Sequence, residues 1–316
     1  MTDLSIGVLL WNMAPDWPTF ERAAKRADDL GYDHIWTWDH LHAIFGEPQQ
    51  SVFDGWMALG GLSTVTTRAR LGLLVGANTF RNPGLVAKMA TTLDHMSRGR
   101  AILGLGGAWF EYEHRAHGIN FGASPGERLK WLDEAAAAVT TILDGGAATS
   151  EPDAHYQFDG LRQEPLPIQR HLPLMIGGSG ERKTLRTVAK YADMWNMTGP
   201  VDKVQHKMEV LDQHCADVGR DPASIERTIS GKLFLRSTEK EAREVCARAM
   251  EMNRTRMSDV EGGDDFWFDT PERTAERLLE YKQMGVHTFI PEIPAPYDEE
   301  TLERLIGEVK PIVDQG

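Results

Sequence analysis

The sequence predicts an α/β fold: a (β/α)8 TIM barrel with an insertion over the C-terminal mouth between strands 4 and 5. Three observations carry this. Short apolar runs alternate with helical patterns eight times along the 316 residues, which is the barrel count. Strand after strand ends in polar, glycine or aromatic residues: Trp11-Asn12, Asp39-His40, Gly76-Ala77-Asn78, Gly106-Gly107, Gly177-Gly178 and Asn196. In a barrel such ends converge on one face, where the chemistry sits. Finally, the alternation is interrupted once, at residues 108–172. An open doubly wound sheet also alternates strand and helix, so the strand ends weigh more than the count.

The elements follow in order. Ser5–Leu10 is the first strand, and Thr19–Leu30 a helix closed by Gly31. His34–Trp38 is the second strand, with a helix over Trp56–Thr64. Arg70–Val75 is the third; Pro83 then precedes a helix over Leu85–Met96. Ala101–Leu105 is the fourth. Gly126–Leu143 is a long helix with an Ala-rich face. Gly145–Leu172 is a polar, Pro-rich connector with Tyr156–Phe158 as one arm of a small hairpin. Leu174–Ile176 and Asp193–Met197 are strands five and six, followed by helices over Arg182–Tyr191 and Val204–Val218. Arg227–Leu235 is the seventh strand, with helices near Glu239–Met252 and Glu272–Met284 after it. His287–Glu292 is the eighth, and Leu302–Val313 a closing helix.

Composition narrows the function classes. Hydrophobic residues make up 41% and charged residues 26%, enough apolar content for a large core. No run approaches the roughly 18 apolar residues of a membrane span. The start, MTDLSIGVLL, lacks the basic flank of a signal peptide. The two cysteines, Cys215 and Cys246, fall in predicted helices. They offer no disulfide framework or metal spacing, so a reducing cytoplasm is expected. A net charge of −13 argues against a nucleic-acid surface, which needs clustered Lys and Arg. A local basic site could still hold an anion, because distant charges are screened beyond roughly 8–10 Å.

Three stretches and a set of strand-end tryptophans carry candidate chemistry. Asp39-His40 follows directly on an apolar strand. It reads either as an acid/base histidine with an orienting neighbour or as a capping Asp beside a loop His. His42 reads as a weaker candidate in the same loop. Gly104-Leu-Gly-Gly-Ala-Trp109 lacks the third glycine and the ribose-binding acid of a dinucleotide fingerprint. It reads as a strand end where backbone approaches a planar ligand closely, or as a plain glycine turn. Leu174 to Thr184 runs from a strand through Gly177-Gly-Ser-Gly180 into a helix start carrying Arg182 and Lys183. Arg182 replaces the second glycine of a P-loop, which argues against an NTPase; the stretch reads as a phosphate-binding turn or as a purely structural one. Among nine tryptophans, Trp11, Trp38, Trp109 and Trp195 fall at strand ends. They line an aromatic cleft for a flat ligand or pack strands against helices. Glu111, Glu113, His114 and His117 lack HExxH order and a third ligand, so no metal is expected there. No GxSxG elbow occurs.

Gly31 through His40, Arg70 through Pro83, Ser97 through Glu111, Ile176 through Gly180 and Ala192 through Asn196 together resemble the bacterial luciferase-like monooxygenase superfamily. Within it they resemble the branch of coenzyme F420-dependent oxidoreductases. The resemblance covers essentially the whole chain, as one domain over 1–316. It implies a (β/α)8 barrel, commonly a homodimer, with a flavin or deazaflavin ring at the C-terminal face. It implies cofactor contacts from Asp39 and His40, with His40 as the catalytic proton-transfer residue. Leu74 and Val75 match a bulge, often a cis peptide, behind the ring, and Gly76, Ala77 and Asn78 continue it. Gly106, Gly107 and Ala108 match a lining segment, and Gly177, Gly178, Ser179 and Gly180 the phosphate turn. Trp109 departs from the pattern: F420-dependent sugar-phosphate dehydrogenases carry a catalytic glutamate there. No basic set matches their sugar-phosphate site either, so only the His40 role carries over. The implied activity is hydride transfer between coenzyme F420 and an organic small molecule. An FMN-dependent monooxygenase and a non-catalytic flavin-binding barrel are the alternatives. The expected partner is a small-molecule substrate, with no nucleic acid, membrane or metal, and Trp11, Trp38, Trp109 and Trp195 as its aromatic walls.

Overall fold

The structure is a computed structural model and describes residues 3–260, 263 and 265–316. Its strands are β1 (Ser5–Leu10), β2 (His34–Thr37), β3 (Arg70–Leu73), β4 (Gly76–Ala77), β5 (Ala101–Gly106), β6 (Leu174–Gly177), β7 (Met194–Met197), β8 (Glu226–Leu235), β9 (Phe266–Asp269) and β10 (Thr288–Ile293). The α-helices are α1 (Trp17–Leu30), α2 (Gly55–Val65), α3 (Pro83–Met96), α4 (Glu111–His117), α5 (Pro125–Leu143), α6 (Thr184–Tyr191), α7 (Val201–Val218), α8 (Glu239–Met252), α9 (Pro271–Gln283), α10 (Glu299–Arg304) and α11 (Lys310–Gln315). A π-helical turn, Leu305–Val309, joins the last two.

The chain forms two compact units. One comprises Met1–Arg70, Met197–His206 and Glu226–Gly316; the other comprises Leu71–Asn196 and Lys207–Ile225. In the first, the strands run parallel in the order β2-β1-β10-β8-β9. In the second they run parallel in the order β3-β5-β6-β7, with β4 also on β5. With β4 as the continuation of β3 and β9 as an extra strand beside β8, the chain supplies the eight strands of a closed parallel (β/α)8 barrel. The expected fold class is therefore met. Strands β5 and β10 are buried at every position, which explains why they read as continuous apolar runs rather than alternating ones.

Helix starts fall where local chemistry puts them. Asp16, Asp54, Asn82, Ser124, Thr238 and Thr270 each accept a backbone N–H bond from the first turn of the helix they precede. Helices α1, α3, α5 and α9 carry proline in that turn, where its missing N–H costs nothing. Hence α1 starts at Trp17 and α3 at Pro83, each two residues before the apolar periodicity begins. Two buried carboxylates tie loops to helices. Asp28 accepts from the backbone N–H of Thr67, Arg68 and Ala69 at 2.7, 3.0 and 2.6 Å. Asp94 accepts from those of Ile168 and Gln169.

The inserted stretch has two parts. Residues 108–124 pack on the β4–α3 loop, where Phe80 lies against His114. Residues 145–172 form a hairpin, bridged at Ala148 and Leu161. This hairpin then follows α3: Gln163 donates to Thr91, Lys88 to the Glu164 carbonyl, and His95 meets the Leu166 carbonyl. Elements β9 and α4 were not expected from the sequence. Cys215 and Cys246 are both buried and form no disulfide among the described residues; one lies in each unit. Among the described residues no helix is long and apolar enough to cross a membrane.

Candidate active site

In the first unit the ends of β1 and β2 build an aromatic cluster beside His40. Asn12 is fully buried, and its amide donates to the carbonyls of Trp38 (3.1 Å) and Phe53 (2.5 Å). These bonds hold the two strand ends and the loop before α2 together. Trp11 and Trp38 pack with ring centroids 4.6 Å apart. Phe45, from the β2–α2 loop, stacks on Trp11 at 4.8 Å and 4°. His40 is half-buried and meets Trp38 edge-on at 6.0 Å, and Asp39 is buried next to it in sequence. His42 belongs to the loop: its Nδ1–H donates to the Pro48 carbonyl. The buried indole N–H of Trp11 and the Oδ1 of Asn12 have no hydrogen-bond partner among the described residues.

Sequence reasoning missed a charged group in this unit. Lys232, inside the apolar strand β8, is buried and pairs with Asp265 and, at 3.4 Å, with Glu292. Its ammonium also lies 5.9 Å from the Phe45 ring and 5.2 Å from the Phe266 ring. Burial pushes its pKa down, but Glu292 and Asp265 outweigh that and hold it above the usual lysine value. The available signal was a lone lysine in the run Leu235 closes, Thr-Ile-Ser-Gly-Lys-Leu-Phe-Leu. Lys232 is thus a cation matched by two carboxylates.

In the second unit the ends of β4, β5 and β6 meet around Val75. The Leu74–Val75 peptide is cis. The Val75 side chain fills space that glycines leave open. A Cβ on Gly106 would lie 2.6 Å from its Cγ2, and one on Gly177 2.9 Å. A Cβ on Gly104 would strike the Leu73 carbonyl, and one on Gly107 would come within 2.8 Å of Leu129. The protein's own packing therefore requires glycine at 104, where the obstacle is backbone, and crowds 106 and 177 against Val75. Asn78 is buried; its N–H donates to the Gly106 carbonyl at 3.1 Å, joining the β4 and β5 ends. Ala108 has φ 54, a left-handed conformation that costs a non-glycine residue roughly 1 kcal/mol. His114 is fully buried; its Nδ1–H donates to the Phe110 carbonyl and its Nε2 takes the Thr79 hydroxyl.

The Gly177-Gly-Ser-Gly turn is held from behind. Trp195 is buried, and its indole N–H donates to the Gly178 carbonyl at 2.8 Å. Trp195 thus serves the turn, whereas Trp109 is 62% exposed. The backbone N–H groups of Ser179 and Gly180 have no acceptor among the described residues. They precede α6, whose N-cap Lys183 makes no side-chain cap. A helix start with open N–H donors suits an anion. Lys183 is not aimed there: its ammonium donates to the Gly126 carbonyl.

The strands and their connections define a parallel (β/α)8 barrel. The chain belongs to the luciferase-like monooxygenase family, whose model matches residues 5–288. A phthiodiolone/phenolphthiodiolone dimycocerosates ketoreductase of Mycobacterium tuberculosis is 27% identical over 218 residues, 62% of this chain and 55% of that protein. The coenzyme F420-dependent tetrahydromethanopterin reductase of Methanopyrus kandleri shares the fold with a TM-score of 0.79. It is 19% identical, and the match covers 98% of this chain and 99% of that one. A monooxygenase of Streptomyces bottropensis matches with a TM-score of 0.78 and 19% identity over 98% of each chain. Neighbours on this fold thus include an F420-dependent enzyme and a monooxygenase.

Proposed function

We propose that this chain is an oxidoreductase that transfers a hydride between coenzyme F420 and an organic small molecule at the C-terminal face of the barrel. The observation that carries it is His40: a half-buried imidazole at a strand end, edge-on to Trp38 and next to the Trp11–Phe45 stack. The residues fit a flavin-type group at the Gly-rich turn, where Ser179 and Gly180 present backbone N–H donors without an acceptor among the described residues, suited to a phosphate. When bound, the cofactor supplies the hydride chemistry. His40 moves the proton: it gives one to the substrate oxygen in the reducing direction and takes it back in the reverse. Asp39 orients the imidazole or the ring. The aromatic walls exclude water and favour an apolar or aromatic substrate.

The ketoreductase relative and the F420-dependent neighbour support this order of readings. His40→Ala should lower turnover by about 100-fold or more while cofactor affinity changes little. Unchanged turnover overturns the role of His40.

The second reading is an FMN-dependent monooxygenase using reduced flavin and dioxygen. The net charge of −13 favours it, because the F420 tail carries several carboxylates. Titration of the purified protein with each cofactor decides: tight FMN binding without F420 binding reverses the order. We also propose a homodimer, to be read from its mass in solution.

A further inference from the structure

Tyr156 lies in the inserted hairpin, far in sequence from every strand end. Its hydroxyl donates to the Asn78 backbone carbonyl at 2.5 Å. The phenol is buried, and burial raises its pKa well above the usual tyrosine value. The O–H therefore stays a donor at any working pH. Asn78 in turn donates its own N–H to the Gly106 carbonyl. One residue thus joins the β4 end, the β5 end and the hairpin. The ring is fixed from the other side. His155 packs edge-on to it at 4.7 Å and stacks on Trp131 of α5 at 3.8 Å. Trp131, Ala135 and Tyr156 form a small buried cluster with Phe158 against it.

We infer that Tyr156 is a positioning residue for the cofactor: it fixes the Gly76–Asn78 strand end, and through Asn78 the Gly106–Ala108 segment, in the geometry that receives the ring. This rests on the reading that these segments contact a flavin-type cofactor. The hairpin is then more than a return path to β6; it is the outer brace of the cofactor site. Tyr156 touches neither cofactor nor substrate in this assignment. It acts through the position of a backbone carbonyl, so shape is kept and one bond is lost when the hydroxyl is removed.

The test compares Tyr156→Phe with Ser150→Ala. Ser150 accepts from the Phe158 N–H within the same hairpin and makes no bond to Asn78. The Ser150 variant therefore loosens the hairpin without touching the strand end. Binding of FMN and of F420 is followed by cofactor fluorescence, alongside Tm. The expected result is an affinity about five- to tenfold weaker for Tyr156→Phe, with a shifted emission of the bound cofactor. Ser150→Ala, at a similar loss of Tm, should keep wild-type affinity and emission. Equal affinity for Tyr156→Phe and wild type overturns the inference, as does an equal weakening in both variants. Wild-type protein that binds neither cofactor overturns the underlying reading instead, so the two failures are distinguishable.

Discussion

At the scale of single residues, backbone crowding decides more than side-chain identity. Gly104 is the sharpest case, because a Cβ there strikes the Leu73 carbonyl, which is backbone and cannot swing away. Gly104→Ala should cost more than about 2 kcal/mol of stability, measured by denaturant midpoint; a midpoint within error of wild type refutes the packing account. His34 gives a prediction in pH. It is buried, with its pKa lowered to about 4 by burial and, secondarily, by Arg70. A depressed pKa means the neutral ring is favoured in the folded chain. Its contribution is full above about pH 6.5, the ordinary histidine value, and is lost as pH falls toward 4. That loss is on the order of 3 kcal/mol. Stability of His34→Phe should decline less between pH 6.5 and 4 than that of wild type. The sequence showed His40 because Asp-His closes an apolar strand. It did not show Lys232, Asp265 and Glu292 as a group, since three elements bring them together and no local pattern links them.

At the scale of elements, periodicity and punctuation made most of the fold legible. Strands of four to ten residues and capped helices announced themselves through apolar runs, prolines and Asx or Ser/Thr caps. Strand β9, Phe266–Asp269, escaped because four residues after an acidic Gly-Asp run carry too little pattern. The break between β3 and β4 is invisible to periodicity, because Leu74-Val75 is as apolar as the strand it interrupts; only the family resemblance pointed to a bulge there, and the peptide is cis. The β2–α2 loop yields a prediction of its own. Phe45 covers Trp11, and a Cβ on Gly46 would fall 2.8 Å from the Asn253 carbonyl, so the loop tip is tightly seated. Phe45→Ala should expose Trp11 and increase acrylamide quenching of tryptophan fluorescence. No change in quenching would show that the stack does not shield it.

At the scale of the whole molecule, the fold class followed from eight strand–helix units, while the cofactor did not. Backbone N–H groups and small residues receive FMN and F420 alike, so the same strand ends read equally well for either. Charge offers a discriminating measurement. With a net charge of −13, an anionic cofactor tail meets long-range repulsion that salt screens. Raising ionic strength from about 10 to 150 mM should leave F420 affinity unchanged or increase it. A marked fall would reveal a local cationic site for the tail.

The two buried cysteines have a practical consequence. Cys215 and Cys246 fall in different compact units, and neither thiol is reachable while its unit stays folded. Labelling with a thiol-specific reagent, followed by peptide mapping, therefore reports the opening of each unit separately, with no engineered probe. Equal labelling rates across a denaturant series mean that the two units open as one; a lag at either cysteine names the half that holds longer.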